Sequence, residues 1–137
     1  LVKFRDFYPE TAQPKFYAYG NAWYNDNDFA KVVTLSPRWY LTHLEIVPKS
    51  ENKTTQDQQA MLGPDYELPL ALEETVKTFN YHRKTGISLN PKRYARCRDL
   101  SSGGHRVSVG YFDSGGLRVS RASRGDTDSL LGVCPSR

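Results

Sequence analysis

Apolar residues recur at helical spacing in one stretch of the chain, and runs of β-branched and aromatic residues lie on both sides of it. The helical stretch carries an apolar stripe formed by Leu68, Leu72, Val76 and Phe79. Pro69 suits a first helical turn, and Gly86 suits a helix end. Acidic residues near the start and basic residues near the end complement the helix dipole. The pattern predicts one main helix over about residues 69–85.

Three strands separated by Ser/Gly turns are predicted after this helix, over Tyr94–Leu100, His105–Phe112 and Leu117–Ser123. Residues 113–116 form a hairpin turn signal that would pair Phe112 with Leu117. The tail Leu130–Cys134 suits a final short strand. These segments together predict an antiparallel sheet in the second half of the chain.

Four short strands or extended arms are predicted before the helix, over Lys3–Tyr8, Lys15–Tyr19, Lys31–Leu35 and Arg38–Val47. Strands, then a helix, then strands again is the order typical of an α+β protein. The expected fold is therefore an antiparallel sheet with the main helix packed across one face. The length of 137 residues favours a single domain over residues 1–137.

Composition favours a soluble globular chain without a membrane span. Hydrophobic residues make up 38% of the sequence, and the mean hydropathy is −0.65. No run of about 18 apolar residues is present, so no membrane-spanning helix is expected. No fixed repeat or heptad array is visible, and we expect a monomer.

The two cysteines, Cys97 and Cys134, lie far apart and form no C-x-x-C motif. An even count without such a motif favours one structural disulfide over zinc binding or redox chemistry. The alternative is a pair of buried free thiols in a cytosolic protein. We expect the disulfide between Cys97 and Cys134.

Secretion is indicated by several weak signals that agree. Asn52 begins an N-glycosylation sequon in the most polar stretch of the chain. The chain begins at Leu1 rather than Met, as a processed secreted protein would. With the paired cysteines and nine tyrosines, these features predict an extracellular glycoprotein.

Charge is distributed unevenly along the chain. The net charge is −3 over residues 1–81 and +7 over residues 82–137, within a total of +4. Such asymmetry favours a basic face that meets an acidic protein, phosphate or an anionic surface. The alternative is that the two halves neutralise each other across the fold. The residues predicted for the basic C-terminal face are Arg106, Arg118, Arg121 and Arg124.

Acid–base chemistry would have to use the few histidines. His43 and Glu45 lie two residues apart on a predicted strand, so both would point to one face. Such a pair suits a ribonuclease, in which one group takes the 2′-hydroxyl proton and the other protonates the leaving oxygen. His105 and Arg118 would then stabilise the phosphate. The alternative is a structural role for both histidines among apolar neighbours.

An aromatic loop with amide and carboxylate neighbours is a candidate for binding sugars or bases; its rings are Tyr17, Tyr19, Trp23 and Tyr24. Packing at a sheet edge is the alternative role for these rings.

The chain contains no phosphate loop, no metal-ligand spacing and no nucleophile motif, so no metal and no cofactor is expected.

The general layout, with a helix before an antiparallel sheet and a supply of His, Glu and Arg, is similar to that of small secreted microbial ribonucleases. The similarity is one of architecture, and no catalytic residue is carried over from it. We expect a secreted, effector- or toxin-like interaction protein that binds a protein, or RNA, through its basic C-terminal face. A metal-independent ribonuclease and a carbohydrate-binding module are the two alternatives.

Overall fold

The second half of the chain forms one sheet and the long helix that packs on it, whereas the first half is mostly irregular. The computed structural model describes all 137 residues. Four helices are α1 (Val2–Arg5), α2 (Asp28–Lys31), α3 (Thr55–Ala60) and α4 (Ala71–Thr85). Four strands are β1 (Tyr94–Leu100), β2 (Arg106–Asp113), β3 (Gly116–Ala122) and β4 (Leu131–Gly132). The α+β class and the main helix agree with the sequence-based expectation.

The sheet is mixed rather than antiparallel, with the strand order β3-β2-β1-β4. β1 pairs antiparallel with β2, and β2 pairs antiparallel with β3. β4, however, runs parallel to β1, with Tyr94 opposite Leu131. Two parallel strands need a crossover connection. Residues 123–130 provide it after β3, and this path could not be read from the strand pattern.

The four strands predicted before the helix do not form. Phe16 makes a single parallel bridge to Leu117, and Thr42 makes a single antiparallel bridge to Ser136. α1 and α2 occupy parts of the other segments. Strand propensity measures how well a residue fits a pleated, half-buried surface. These segments instead cover the sheet edge and the helix, so their β-branched and aromatic residues have no ladder to join.

The β2–β3 hairpin has the predicted turn and an unpredicted irregularity at Tyr111. Asp113 faces Gly116 across the turn, but the register shifts between Gly110 and Asp113. Tyr111 adopts a left-handed backbone with φ 48°. The extra residue keeps Phe112, which is 0% exposed, on the helix side of the sheet.

α4 covers the sheet through Phe79, whose ring is fully buried. Its centroid lies 4.6 Å from that of Tyr8, 4.9 Å from that of Phe16 and 5.8 Å from that of Phe112. Aromatic pairs at such distances add stability beyond the area that they bury. Phe79 therefore ties the sheet and the N-terminal segment to the helix.

The buried face of α4 is more polar than the apolar stripe suggested. Leu72 and Val76 are only half-buried, whereas Glu74 is 2% exposed. Lys77 compensates Glu74 with an ion pair of 2.7 Å, and the Lys77 side chain is 6% exposed. Burial alone lowers the pKa of a lysine, but the carboxylate of Glu74 reverses this effect and raises the pKa of Lys77.

None of the helices combines the length and the apolar character that crossing a membrane requires.

The predicted disulfide is wrong, because both cysteines are free and buried. Cys97 lies inside β1 and is 0% exposed, and Cys134 lies beyond β4 and is 1% exposed. Asn90 Nδ2 donates to Cys134 Sγ at 3.6 Å, and the Cys97 thiol donates to the carbonyl of Ala95 at 3.6 Å. The two residues act as small buried apolar side chains, a role that an even cysteine count does not distinguish from pairing.

The buried thiols are expected to be inert in the folded protein. Burial raises the pKa of Cys134 to about 12 and raises the pKa of Cys97 well above its ordinary value. At pH 8, a thiol of pKa near 12 is a thiolate about 10⁻⁴ of the time, and the thiolate is the reactive form. Titration with a disulfide reagent should detect no thiol in the native protein and two in denaturant. Cys97→Ala should reduce the denatured count to one, whereas no thiol in unreduced, denatured protein would contradict the structure.

Candidate functional site

The predicted acid–base pair lies on an exposed irregular segment rather than on a strand. His43 and Glu45 are both exposed, and no hydrogen bond or ion pair joins them. The His43 ring meets the Tyr66 ring edge-on at 5.6 Å, and its backbone N–H donates to the Pro135 carbonyl at 3.0 Å. The ring contact and the backbone hydrogen bond favour a structural role for His43 over a role in proton transfer.

His105, the third predicted catalytic residue, lies in the turn between β1 and β2. Its backbone N–H donates to Ser101 Oγ at 3.2 Å, and its side-chain Nδ1 is buried without a partner. The contacts of His105 share no residue with those of His43. No group of three or more His, Cys, Asp or Glu side chains is placed to hold a metal ion.

The four predicted arginines take up different roles instead of forming one basic face. Arg106 is half-buried, and its guanidinium donates to the carbonyl of Arg98. Arg121 lies over the Trp23 ring at 4.9 Å, and Arg124 is exposed. Arg118 pairs with Asp113 at 3.2 Å. Most of this positive charge is therefore engaged within the protein.

Arg118 is the centre of an arginine–tyrosine cluster on the face of the sheet away from α4. Its guanidinium lies 4.6 Å from the Tyr17 ring centroid and 4.5 Å from that of Tyr111. Gly116 lets the segment of Tyr17 approach β3, because a Cβ there would lie 2.6 Å from the backbone carbon of Phe16. The structure thus brings together two residues, Tyr17 and Arg118, that the sequence placed in separate candidate sites.

The other rings of the aromatic loop seal the edge of the sheet. The Tyr19 hydroxyl and Trp23 Nε1 both donate to the Val119 carbonyl, at 3.1 Å and 3.0 Å. Tyr24 is 0% exposed, so it has no surface to offer a ligand. These bonds satisfy a carbonyl of β3, which has no neighbouring strand on that side.

Asn52, the predicted glycosylation site, is exposed at the surface. The hydroxyl of Thr54, the third residue of the sequon, accepts a hydrogen bond from the backbone N–H of Asp57 at 3.2 Å and so caps α3. Glycosylation of Asn52 stays a prediction.

The most exposed large apolar side chain in the protein is Trp39, at 98%. It stands at the rim of a groove of about 430 Å³ between residues 35–44 and α4. We call this the Trp39 groove; its apolar lining consists of Leu35, Trp39, Tyr40, Leu44, Val76 and Tyr81. Leu44 is 46% exposed, so the apolar surface continues beyond the tryptophan.

Main-chain bonds hold the outer wall of the groove in place. Leu41 and Arg137 exchange two backbone hydrogen bonds, of 3.1 Å and 3.0 Å, and Val47 donates to Val133 at 2.9 Å. Lys77 Nζ, which pairs with Glu74, also donates to the His43 carbonyl at 2.8 Å. The segment that carries Trp39 is therefore attached both to the C-terminal tail and to α4.

The charge around the groove is positive. Arg38 and Lys84 are exposed and lie in no ion pair, although Arg38 stacks on the Tyr40 ring at 4.7 Å. The two other charged residues at the groove have partners within the chain. Lys77 forms an ion pair with Glu74, and Glu73 accepts a hydrogen bond of 2.9 Å from the backbone N–H of Leu70. The groove thus offers an apolar surface beside unpaired cations.

No family of known proteins, no curated protein and no solved structure matches this chain.

Sequence reasoning missed the Trp39 groove because it placed Trp39 on a strand. A strand would have turned tryptophan towards a core or a sheet face, where large aromatic residues usually lie. The useful signal was Ser36-Pro37 immediately before Arg38, which breaks a strand and favours an exposed turn.

Proposed function

We propose that this chain is an interaction protein, that its macromolecular partner is a protein, and that the partner binds in the Trp39 groove. The observation that carries the proposal is a tryptophan 98% exposed beside an apolar groove. Tryptophan, tyrosine and arginine supply most of the energy of protein interfaces. Leaving such a ring in water is unfavourable unless a partner covers it.

The charges at the rim support a partner segment with acidic and apolar side chains. Arg38 and Lys84 have no acidic partner within the chain. Complementary charges guide association and fix the register of a bound segment. The proposed ligand is therefore a peptide segment with one large apolar anchor and neighbouring Asp or Glu residues.

The basic C-terminal face has less support as the principal binding surface. Arg118 is paired with Asp113, and Arg121 is stacked on Trp23. Nucleic-acid binding depends on several cations that are free to neutralise phosphates. The ribonuclease alternative needs two groups that face one phosphate, and the exposed His43 and Glu45 make no mutual contact.

Random peptides displayed on phage and selected on the native protein are expected to enrich acidic sequences with an aromatic or aliphatic anchor. A synthetic peptide from this selection should bind with a blue shift of tryptophan emission, because Trp39 leaves water. Trp39→Ser should weaken binding by about 30-fold, the effect of losing about 2 kcal/mol at a hot spot. Arg38→Glu should also weaken it, and more salt should reduce the affinity.

Ile87→Ser is the matched control, because Ile87 is 57% exposed and does not line the Trp39 groove. It should change the affinity by less than about twofold, since exposed substitutions away from an interface have small effects. Equal binding of the selected peptide by the native protein and Trp39→Ser would overturn the proposal. Salt-sensitive binding of single-stranded RNA that Trp39→Ser leaves unchanged, with no peptide enriched, would favour a nucleic-acid partner instead.

A further inference from the structure

A second pocket lies on the N-terminal part of the chain, away from the residues of the Trp39 groove. It has a volume of about 280 Å³ and lies between residues 5–10 and residues 16–25. We call it the Tyr17 pocket; the residues that could contact a ligand are Arg5, Asp6, Tyr8, Glu10, Tyr17 and Asn25. Pockets for drug-sized ligands usually start at about 300 Å³, so this one suits a smaller molecule.

The walls of the Tyr17 pocket are held by contacts that engage Arg5 and Asn25 and leave its carboxylates unpaired. Arg5 Nη1 donates to Asn25 Oδ1 at 2.9 Å and to the Tyr24 hydroxyl at 3.4 Å. The Tyr17 backbone N–H donates to the Leu117 carbonyl at 2.9 Å. Arg118 supports the Tyr17 ring at 4.6 Å, so this ring is held in place before any ligand arrives.

Two unpaired acceptors line this pocket together with an aromatic ring. Asp6 and Glu10 are exposed carboxylates, and neither takes part in any ion pair of the protein. A carboxylate only accepts hydrogen bonds, so it selects a ligand with donors. Tyr17 is 37% exposed and offers a flat apolar surface beside them.

These features distinguish between classes of small ligand. Two unpaired carboxylates against one arginine repel phosphate and other anions. The ring of Tyr17 favours a ligand with an apolar face as well as donors. A sugar ring has both, because its hydroxyls donate at the edge while its C–H groups form an apolar face.

We propose that the Tyr17 pocket binds a single neutral sugar ring, as a free monosaccharide or as the terminal unit of a glycan. Asp6 and Glu10 accept hydrogen bonds from its hydroxyls, and Tyr17 packs against its C–H face. The Tyr17 pocket shares no lining residue with the Trp39 groove, so sugar binding does not depend on peptide binding in that groove.

The test is a titration of the ¹⁵N-labelled protein with a panel of neutral monosaccharides, followed by amide chemical shifts. We expect at least one sugar to bind with a dissociation constant on the order of 1 mM and to shift amides near Tyr17. Tyr17→Ala and Glu10→Gln should each weaken binding by about tenfold, the loss of one good contact. Glu10 is exposed, so its variant keeps the test valid if Tyr17→Ala does not fold.

Glu45→Gln is the matched control, since Glu45 is an exposed carboxylate outside the pocket, and it should leave the affinity unchanged. Trp39→Ser should also leave sugar binding unchanged. The proposal is overturned if no sugar shifts the amides of the pocket, or if Glu10→Gln binds as well as the native protein. Binding of the diamine putrescine without binding of any sugar would also overturn it, because the pocket would then select cations.

Discussion

Lys77→Met is expected to lower the free energy of unfolding by about 3–5 kcal/mol, the usual effect of removing one partner of a buried ion pair. Glu74 would keep its charge in a site where it is 2% exposed and has lost its partner at 2.7 Å. Urea denaturation followed by circular dichroism measures the change. The substitution also removes the bond to the His43 carbonyl, so amides of residues 38–47 should exchange faster with solvent.

The double variant Glu74→Leu/Lys77→Met separates the unpaired charge from the loss of packing. Replacing both members of a buried pair with apolar residues is often neutral or stabilising. The double variant should therefore be clearly more stable than Lys77→Met alone. Equal losses in the two variants would show that the unpaired carboxylate is not the cause.

Acid should partly rescue Lys77→Met. Burial raises the pKa of Glu74 above its unfolded value even beside Lys77, and removing the lysine, whose charge and hydrogen bond lower this pKa, raises it further. A group with a raised folded pKa stabilises the fold fully below its unfolded pKa, and this contribution is lost as the pH rises. The difference in the free energy of unfolding between the native protein and Lys77→Met should therefore shrink as the pH falls towards about 4. A difference in the free energy of unfolding that does not depend on pH would show that the unpaired carboxylate of Glu74 is not its cause.

Alkaline pH is expected to destabilise the native protein strongly through its two buried thiols. Burial raises the pKa of Cys134 to about 12, and raises that of Cys97 well above its ordinary value. The unfolded chain releases these protons at about pH 8.5–9, whereas the folded chain retains them. Stability is therefore present below the unfolded pKa and is lost as the pH rises towards the folded one.

The expected loss from Cys134 is about 2 kcal/mol between about pH 9 and pH 11, and Cys97 acts in the same direction. Burial also raises the pKa of Tyr19 to about 12, which acts in the same direction. Urea denaturation at intervals across this range gives the slope of stability against pH. Cys134→Ala should make that slope shallower by about 1.4 kcal/mol per pH unit, even though the substitution costs packing. A slope identical to that of the native protein would contradict the role given to this thiol.

The elements with strong local signals could be predicted from the sequence. The helix predicted over residues 69–85 forms as Ala71–Thr85, and the strand predicted over Tyr94–Leu100 forms with those bounds. The β2–β3 hairpin also forms around its predicted turn. Each of these depends on neighbouring residues, on a dipole or on turn chemistry, all of which the sequence displays.

The candidate site could not be predicted, because its parts come from distant segments. The Trp39 groove lies between residues 35–44 and α4. The sequence pattern also did not indicate that the ion pair of Glu74 with Lys77 would be buried. The Tyr17 pocket joins α1 to a segment beside β3. The arginines and aromatic residues predicted for binding were chosen by residue type. Their contacts within the folded protein decide which of them can still bind a ligand.

By itself, the sequence determined the α+β class, the long helix, the three strands after it and the supply of arginine and tyrosine. Tertiary structure decided that β4 pairs parallel with β1, that Cys97 and Cys134 stay apart as free thiols, and that Trp39 faces water. The physical reason is that hydrophobic periodicity and turn chemistry act over a few residues. Pairing, burial and exposure depend on which distant segments meet, and a single sequence does not display those contacts.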